Sequence, residues 1–225
     1  MSERRIRSTH TGSLPRPKAL ITTMWAAADG VPVDQAALAS QIDEAVTGAV
    51  KRQVESGITV VNDGEMSKPS YATYVQHRLA GFEGESVQSY HFADLVDYPK
   101  SMELVAANAG RRKRSAPACT GPIEVQDMGP AREDMDRLDR AAKALGAEAT
   151  FSSAASPGVV SLFFGNEHYP DHEAYVFAIA EAMRAEYEII AESGAFVQLD
   201  CPDLAMGRHS VYADLDDEAF RRTIA

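Results

Sequence analysis

Three short polar clusters hold the residues of this chain whose types could do chemistry. They are His10-Thr11-Gly12-Ser13, Asn62-Asp63-Gly64-Glu65 and Asp200-Cys201-Pro202-Asp203. Each follows a stretch that reads as a strand, so each falls where a strand gives way to a loop. In parallel α/β architecture those loops carry the working residues. Taken singly, every cluster has a structural reading. Gly12-Ser13 with Pro15 and Pro17 makes a turn, Asp63-Gly64 is a common turn pair, Asp200 caps a loop and His10 is a satisfied loop or core histidine. The shared placement tips the balance toward function for Ser13, Glu65 and Asp200. Several chemistries are set aside. The sequence holds no GxGxxG, no GxxxxGK[ST] and no GxSxG, so the standard phosphate cradles and the nucleophile elbow are missing. His172-Glu173 lacks the second histidine of HExxH, and there is no HxC or CxxC pair to begin a zinc site.

The elements that must position these clusters alternate. Arg5–Thr11 is read as a strand that ends in a Gly/Pro loop. Asp34 is a good N-cap for a helix carrying Leu38, Ile42, Ala45, Val46, Ala49, Val50 and Val54 at helical spacing, and Gly57 closes it. Ile58–Val61 is the next strand, which gives a parallel βαβ unit. Further strands are expected at Ser115–Thr120, Ala149–Ser153 and Ala195–Leu199. Helices are expected at Arg132–Leu145 with Gly146 as its cap, from Pro170 to Glu192, and from Asp216 onward. Tyr71–Leu79 reads as helical, with Tyr71, Tyr74 and His77 as packing. Residues 66–114 form an excursion, with strand character near Ser86–Leu95. Arg111–Arg114 reads as a solvated loop, with an anion site as the weaker alternative. One echo supports repetition. Glu55-Ser56-Gly57, then Val60, then Asp63 recurs with the same spacing as Glu192-Ser193-Gly194, Val197 and Asp200. The expected fold is α/β, about five of the eight units of a (β/α)8 TIM barrel in a single domain spanning 1–225. An open five-stranded sheet is the alternative.

Composition bounds the function. The 225 residues are 45% hydrophobic and 24% charged, with a formal net charge of -11. A strongly acidic surface repels phosphate backbones and anionic lipid, so neither nucleic acid nor membrane is expected as a partner. Met1–Arg7 leads into no apolar stretch, so no secretory signal is expected. Two cysteines without CxxC spacing point to a reduced, cytoplasmic protein. An incomplete barrel would expose apolar strand edges, which makes self-association an expectation.

Thr9-His10-Thr11-Gly12-Ser13-Leu14-Pro15-Arg16-Pro17 resembles the opening of the cobalamin-independent methionine synthase family. So does Lys51-Arg52-Gln53 through Gly57 into Val60-Val61-Asn62-Asp63-Gly64-Glu65. Thr120-Gly121-Pro122 is similar to its third-strand element, and Val197-Gln198-Leu199-Asp200-Cys201-Pro202-Asp203-Leu204 to its I-Q-x-D-E-P-x-L element. The likenesses run in order along nearly the whole chain. They imply a barrel that transfers a methyl or alkyl group to a small thiol such as homocysteine, with a catalytic zinc. They imply that Ser13, Glu65 and Asp200, with His10 nearby, bind the thiol substrate. Carboxylates hold an ammonium group, and a zinc-bound thiol is deprotonated and nucleophilic.

The sequence departs from the family at three points. His209 is followed by Ser210 and Val211 rather than by the HxC that begins the family's zinc ligands, so those ligands are expected beyond this chain. Cys201 stands where an acid is usual. Ile123-Glu124-Val125 lacks the aromatic used near folate. The His10 form of the first motif also resembles the epoxyalkane:coenzyme M transferase branch. A binding barrel fragment without catalysis is the alternative of another class.

Overall fold

Hydrophobic periodicity and helix-end residues set the order of elements in the computed structural model, which describes residues 6–84, 86, 93–108 and 117–224. Arg111–Arg114, and with them most of the Ser86–Leu95 strand reading, lie outside the described residues. The elements are α1 (Lys18–Ala28), α2 (Gln35–Glu55), β1 (Val60–Val61), β2 (Phe82–Glu83), α3 (Pro99–Asn108), β3 (Ala118–Cys119), α4 (Gly129–Leu145), β4 (Ala149–Ala155), α5 (Pro157–Phe163), α6 (His172–Glu192), β5 (Phe196–Asp200), α7 (Asp203–Met206) and α8 (Asp217–Ile224). A 3-10 turn covers Thr73–His77.

Two compact units share the chain. The first contains the described residues up to Tyr74, with Asp127–Ala154 and Arg184–Leu199; the second contains Val75–Gln126, Ala155–Met183 and the residues from Asp200 on. In the first unit, the Asp34 side chain accepts from the N–H groups of Ala36 and Ala37 and starts α2. Gly57, at φ +78, ends the turn that follows it. The apolar stripe Ile42, Ala45, Val46, Ala49 and Val50 is buried. Helix α2 packs on α1 and α4. Arg137 of α4 reaches Asp43 of α2 at 2.8 Å and Asp134 at 3.6 Å. β1 pairs in parallel with β4, Val60 opposite Ala149 and Val61 opposite Thr150, and the sheet order is β1-β4-β5. The β1–β4 pair is thus parallel, as expected of strands in an α/β fold.

Two expected strands come out differently. The described part of Arg5–Thr11 joins no ladder. Instead, the Ser8 carbonyl accepts from the N–H groups of both Thr59 and Val60, at 3.2 and 3.0 Å, and Ser8 N–H donates to Thr59 Oγ1. Two successive donors converging on one carbonyl replace the evenly spaced bonds of a parallel ladder. In the second unit, the described part of the strand read at Ser115–Thr120 holds β3, which pairs antiparallel with β2 and bridges Asn166 in parallel. Gly81 explains the turn toward β2. Its carbonyl accepts from the N–H groups of Thr120 and Gly121. At φ +93, an added Cβ there would meet the Pro122 carbonyl oxygen at 2.6 Å, an approach that only glycine permits. Among the described residues no sheet closes into a barrel.

Candidate functional site

Asn62-Asp63-Gly64-Glu65 forms two overlapping side-chain turns. Asn62 Oδ1 accepts from Gly64 N–H and Asp63 Oδ1 from Glu65 N–H, each at 2.9 Å. Both turn residues end up left-handed, Gly64 at φ +67 and Glu65 at φ +55. Glycine adopts this freely; a glutamate held there stores about 1 kcal/mol or more of strain. Gly64 has a second reason to be glycine, since an added Cβ would meet Met66 Cε at 2.9 Å and Leu14 Cβ at 3.2 Å. The loop of the opening motif clamps this turn. Leu14 N–H donates to the Gly64 carbonyl, and Arg16 Nη2 donates to the carbonyls of both Glu65 and Lys68 at 2.6 Å. The Leu14-Pro15-Arg16 stretch of the opening motif thus holds the second loop in place.

The strained turn drives the Glu65 side chain inward, leaving it 1% exposed. Ser13 Oγ donates to Glu65 Oε2 at 2.5 Å, while Ser13 itself is exposed. Oε1 is buried and has no partner among the described residues. A buried carboxylate oxygen without a donor is costly and is rare in folded proteins. Three residues on, Lys68 is 5% exposed. Its ammonium donates to the Ser153 carbonyl of β4 at 2.5 Å and lies 4.5 Å from the centre of the Tyr74 ring. Tyr74 in turn donates its hydroxyl to Glu186 Oε1 at 2.7 Å. The Ser153 hydroxyl accepts from Gln198 Nε2 of β5. Neither Lys68 nor Tyr74 was singled out for function by the sequence. Lys68 opens a segment without clear periodicity, and Tyr74 reads as helix packing.

The structure brings Ser13 and Glu65 together and turns His10 elsewhere. His10 Nε2 shares a 3.0 Å hydrogen bond with Gln53 Oε1, and its ring meets Phe151 edge-on. Gln53 also donates to the Asn62 carbonyl and accepts from Asn62 N–H. His10 therefore supports the second loop through Gln53. Asp200 ends β5 and belongs to the second unit, where its carbonyl accepts from Ser156 N–H. There the Ser156 hydroxyl donates to Asp203 Oδ1 at 2.8 Å. Burial pushes the Cys201 thiol up; the hydrogen bond to Ser156 opposes this, and Asp203 and Asp200 add to it. Burial likewise raises Cys119, whose S–H donates to the Gly121 carbonyl.

The first unit thus sets a strained, buried acid, Glu65, in the loop that follows β1. The comparisons with known proteins agree with the motifs on the family of this chain. No family profile matches the chain. The methionine synthase of Pyrococcus furiosus is 22% identical over 214 residues, covering 95% of this chain and 56% of that protein. The B12-independent methionine synthase from Shewanella sp. W3-18-1, solved in complex with selenomethionine, superposes with a TM-score of 0.64 at 20% identity, covering 88% of this chain and 52% of that one. A putative vitamin-B12 independent methionine synthase from Listeria monocytogenes gives 0.60 at 20% identity, covering 88% and 53%. The family recognised in the motifs, cobalamin-independent methionine synthase, is the family to which this chain is similar along most of its length. The chain spans about half the length of these relatives.

The zinc that the resemblance implies does not fit the residues described. Among them, no three His, Cys, Asp or Glu side chains come together to hold a metal ion. His10 is committed to Gln53, and both thiols are held toward the neutral form, which is a poor zinc ligand. No helix among the described residues is long and apolar enough to cross a membrane.

Proposed function

We propose that this chain carries the thiol-acceptor site of a methyl- or alkyltransferase resembling cobalamin-independent methionine synthase, and that the acceptor is an amino-acid thiol of the homocysteine type. One observation supports the acceptor class above the others. Glu65 is a buried carboxylate, strained into place, with one oxygen on an exposed serine and the other unsatisfied among the described residues. A substrate ammonium supplies the donors that Oε1 lacks, in surroundings where a charge-assisted hydrogen bond counts for most. Ser13 orients the carboxylate and is the side of the pair open to solvent. By resemblance alone, Asp200 completes the ammonium contacts and His10 stands near the substrate; the Ser13–Glu65 hydrogen bond supports the part of the reading that concerns those two residues. The barrel architecture and the zinc belong to the same reading of the whole enzyme. The metal's ligands would then come from residues other than those described.

The test is isothermal titration of the 225-residue chain with L-homocysteine. Losing one charge-assisted contact costs about 1.5–3 kcal/mol, so Glu65→Gln should weaken binding by about ten- to a hundredfold. Unchanged affinity would remove Glu65 from the site. 2-Mercaptoethanesulfonate has no ammonium; if it binds in preference to homocysteine, the coenzyme M branch replaces the amino-acid reading.

A further inference from the structure

Glu65 is the one residue other than glycine with a positive φ among the described residues. Contacts that hold the turn closed must offset its strain. Two of them come from within the loop. Asp63 Oδ1 accepts from Glu65 N–H at 2.9 Å, and the Glu65 carbonyl accepts from Lys68 N–H at 3.1 Å. The others come from the opening motif. Ser13 Oγ donates to the Glu65 carboxylate, Leu14 N–H to the Gly64 carbonyl, and Arg16 Nη2 to the carbonyls of both Glu65 and Lys68. Arg16 is the only charged donor among these three. Its bonds are charge-assisted and partly buried, which makes them the strongest of the set. A single nitrogen closes over both ends of the Glu65–Lys68 turn. Relaxation of Glu65 to a negative φ would reorient its carbonyl relative to its side chain. The Arg16 contact and the Ser13 contact could not then both survive.

Resting on the thiol-acceptor reading above, we infer that Arg16 is a positioning residue of the acceptor site: it holds Glu65 in the left-handed conformation that puts the buried carboxylate on Ser13 and leaves Oε1 for a ligand. Arg16 acts on the backbone of the loop, and its effect on a ligand passes through Glu65. The opening motif therefore serves the site twice, once through the Ser13 hydroxyl and once through the conformation that Arg16 imposes.

Arg16→Met and Arg16→Lys are made both with Glu65 intact and in Glu65→Gln, and each chain is titrated with L-homocysteine, with thermal unfolding as the check on folding. With Glu65 intact, Arg16→Met should weaken binding by about fivefold or more as the strained conformation is lost. In Glu65→Gln it should change nothing further, because the carboxylate it positions is already gone. Such non-additivity marks residues that act as one. Arg16→Lys keeps the charge without the planar fork; it should behave in the same way, and it takes the place of Arg16→Met if that variant does not fold. A ligand-free crystal structure of the Arg16 variant should show Glu65 at negative φ with its carboxylate off Ser13 Oγ. Equal weakening with and without Glu65 would mean that Arg16 supports the fold at large. Unchanged affinity with Glu65 intact would mean that the turn holds itself. Either result overturns the inference and leaves the Glu65 result standing. If the unmodified chain binds no homocysteine, the thiol-acceptor reading fails. The ligand-free structure then decides for Arg16 separately, and a Glu65 still left-handed on Ser13 would overturn its role.

Discussion

Glu65 and Gly64 share one left-handed turn, but the two residues bear it differently. Gly64 accepts a positive φ freely and also lets Met66 and Leu14 close over it. Gly64→Ala adds both backbone strain and a contact of 2.9 Å to Met66 Cε. The expected loss of stability is about 1–3 kcal/mol, measured as a shift in the urea unfolding midpoint at unchanged slope. A midpoint equal to that of the unmodified chain would show that the turn relaxes and that Glu65 is not held under strain. The cysteines allow a second check at this scale. Because burial raises both Cys119 and Cys201, their thiolates are scarce at neutral pH, and thiolate is the reactive form. Iodoacetamide should alkylate the folded chain more slowly than the urea-unfolded chain at pH 8. The rate should still be climbing with pH beyond the range where an ordinary thiol levels off. Rapid, stoichiometric labelling of Cys201 at neutral pH would contradict the raised thiol and reopen its role as a nucleophile or metal ligand.

Elements differ in how far they can be read from residues alone. Helix α2 is legible because its start, stripe and stop are all spelled out: Asp34 accepts two N–H groups, Ile42 to Val50 form the buried face, and Gly57 follows at positive φ. Asp34→Ala should cost about 0.5–2 kcal/mol, seen as a lowered unfolding midpoint, with binding of homocysteine unaffected once the chain is folded. Helices α4 and α6 are legible from their buried faces and from Gly146 and Gly194 beyond their ends, and strands β4 and β5 from short runs that follow those glycines. Helix α1 is not, because it starts at Pro17 without a side-chain cap and its Ala/Thr composition gives a weak stripe. Helix α5 is hidden behind Val159-Val160 and Phe163-Phe164, which imitate a strand. Its start was nonetheless spelled out, by the Ser156 cap and Pro157 at the first position. Strand β3 escapes for a different reason. Its antiparallel partner depends on Gly81, nearly forty positions away, approaching the Pro122 carbonyl, and no local pattern encodes that. The Ser13–Glu65 hydrogen bond joins two residues that motif and placement single out. The turn of His10 toward Gln53, and the burial of Lys68 and Tyr74, depend on contacts between distant segments.

An acidic composition is joined, among the described residues, to an edge strand with exposed apolar side chains. β5 neighbours only β4 in its sheet among the described residues. It presents Phe196, Val197 and Leu199 at 51%, 37% and 44% exposure. Exposed apolar edge strands invite pairing with another chain, and the net charge of -11 opposes association only at long range. Sedimentation velocity of the 225-residue chain should show mass increasing with concentration, more so at high salt, and Val197→Lys should reduce it. A monomer at all concentrations would show that the edge is protected. The central claim, however, is that an α-amino-acid head group binds at the Glu65 turn. A crystal structure of the chain with L-selenomethionine tests this most directly, because selenium marks the ligand independently of its refined position. The account predicts the ligand's ammonium within hydrogen-bond distance of Glu65 Oε1, with Ser13 still on Oε2. Selenomethionine bound with its ammonium away from Glu65, or a Glu65 carboxylate that stays buried and unsatisfied with the ligand seated elsewhere, would contradict it.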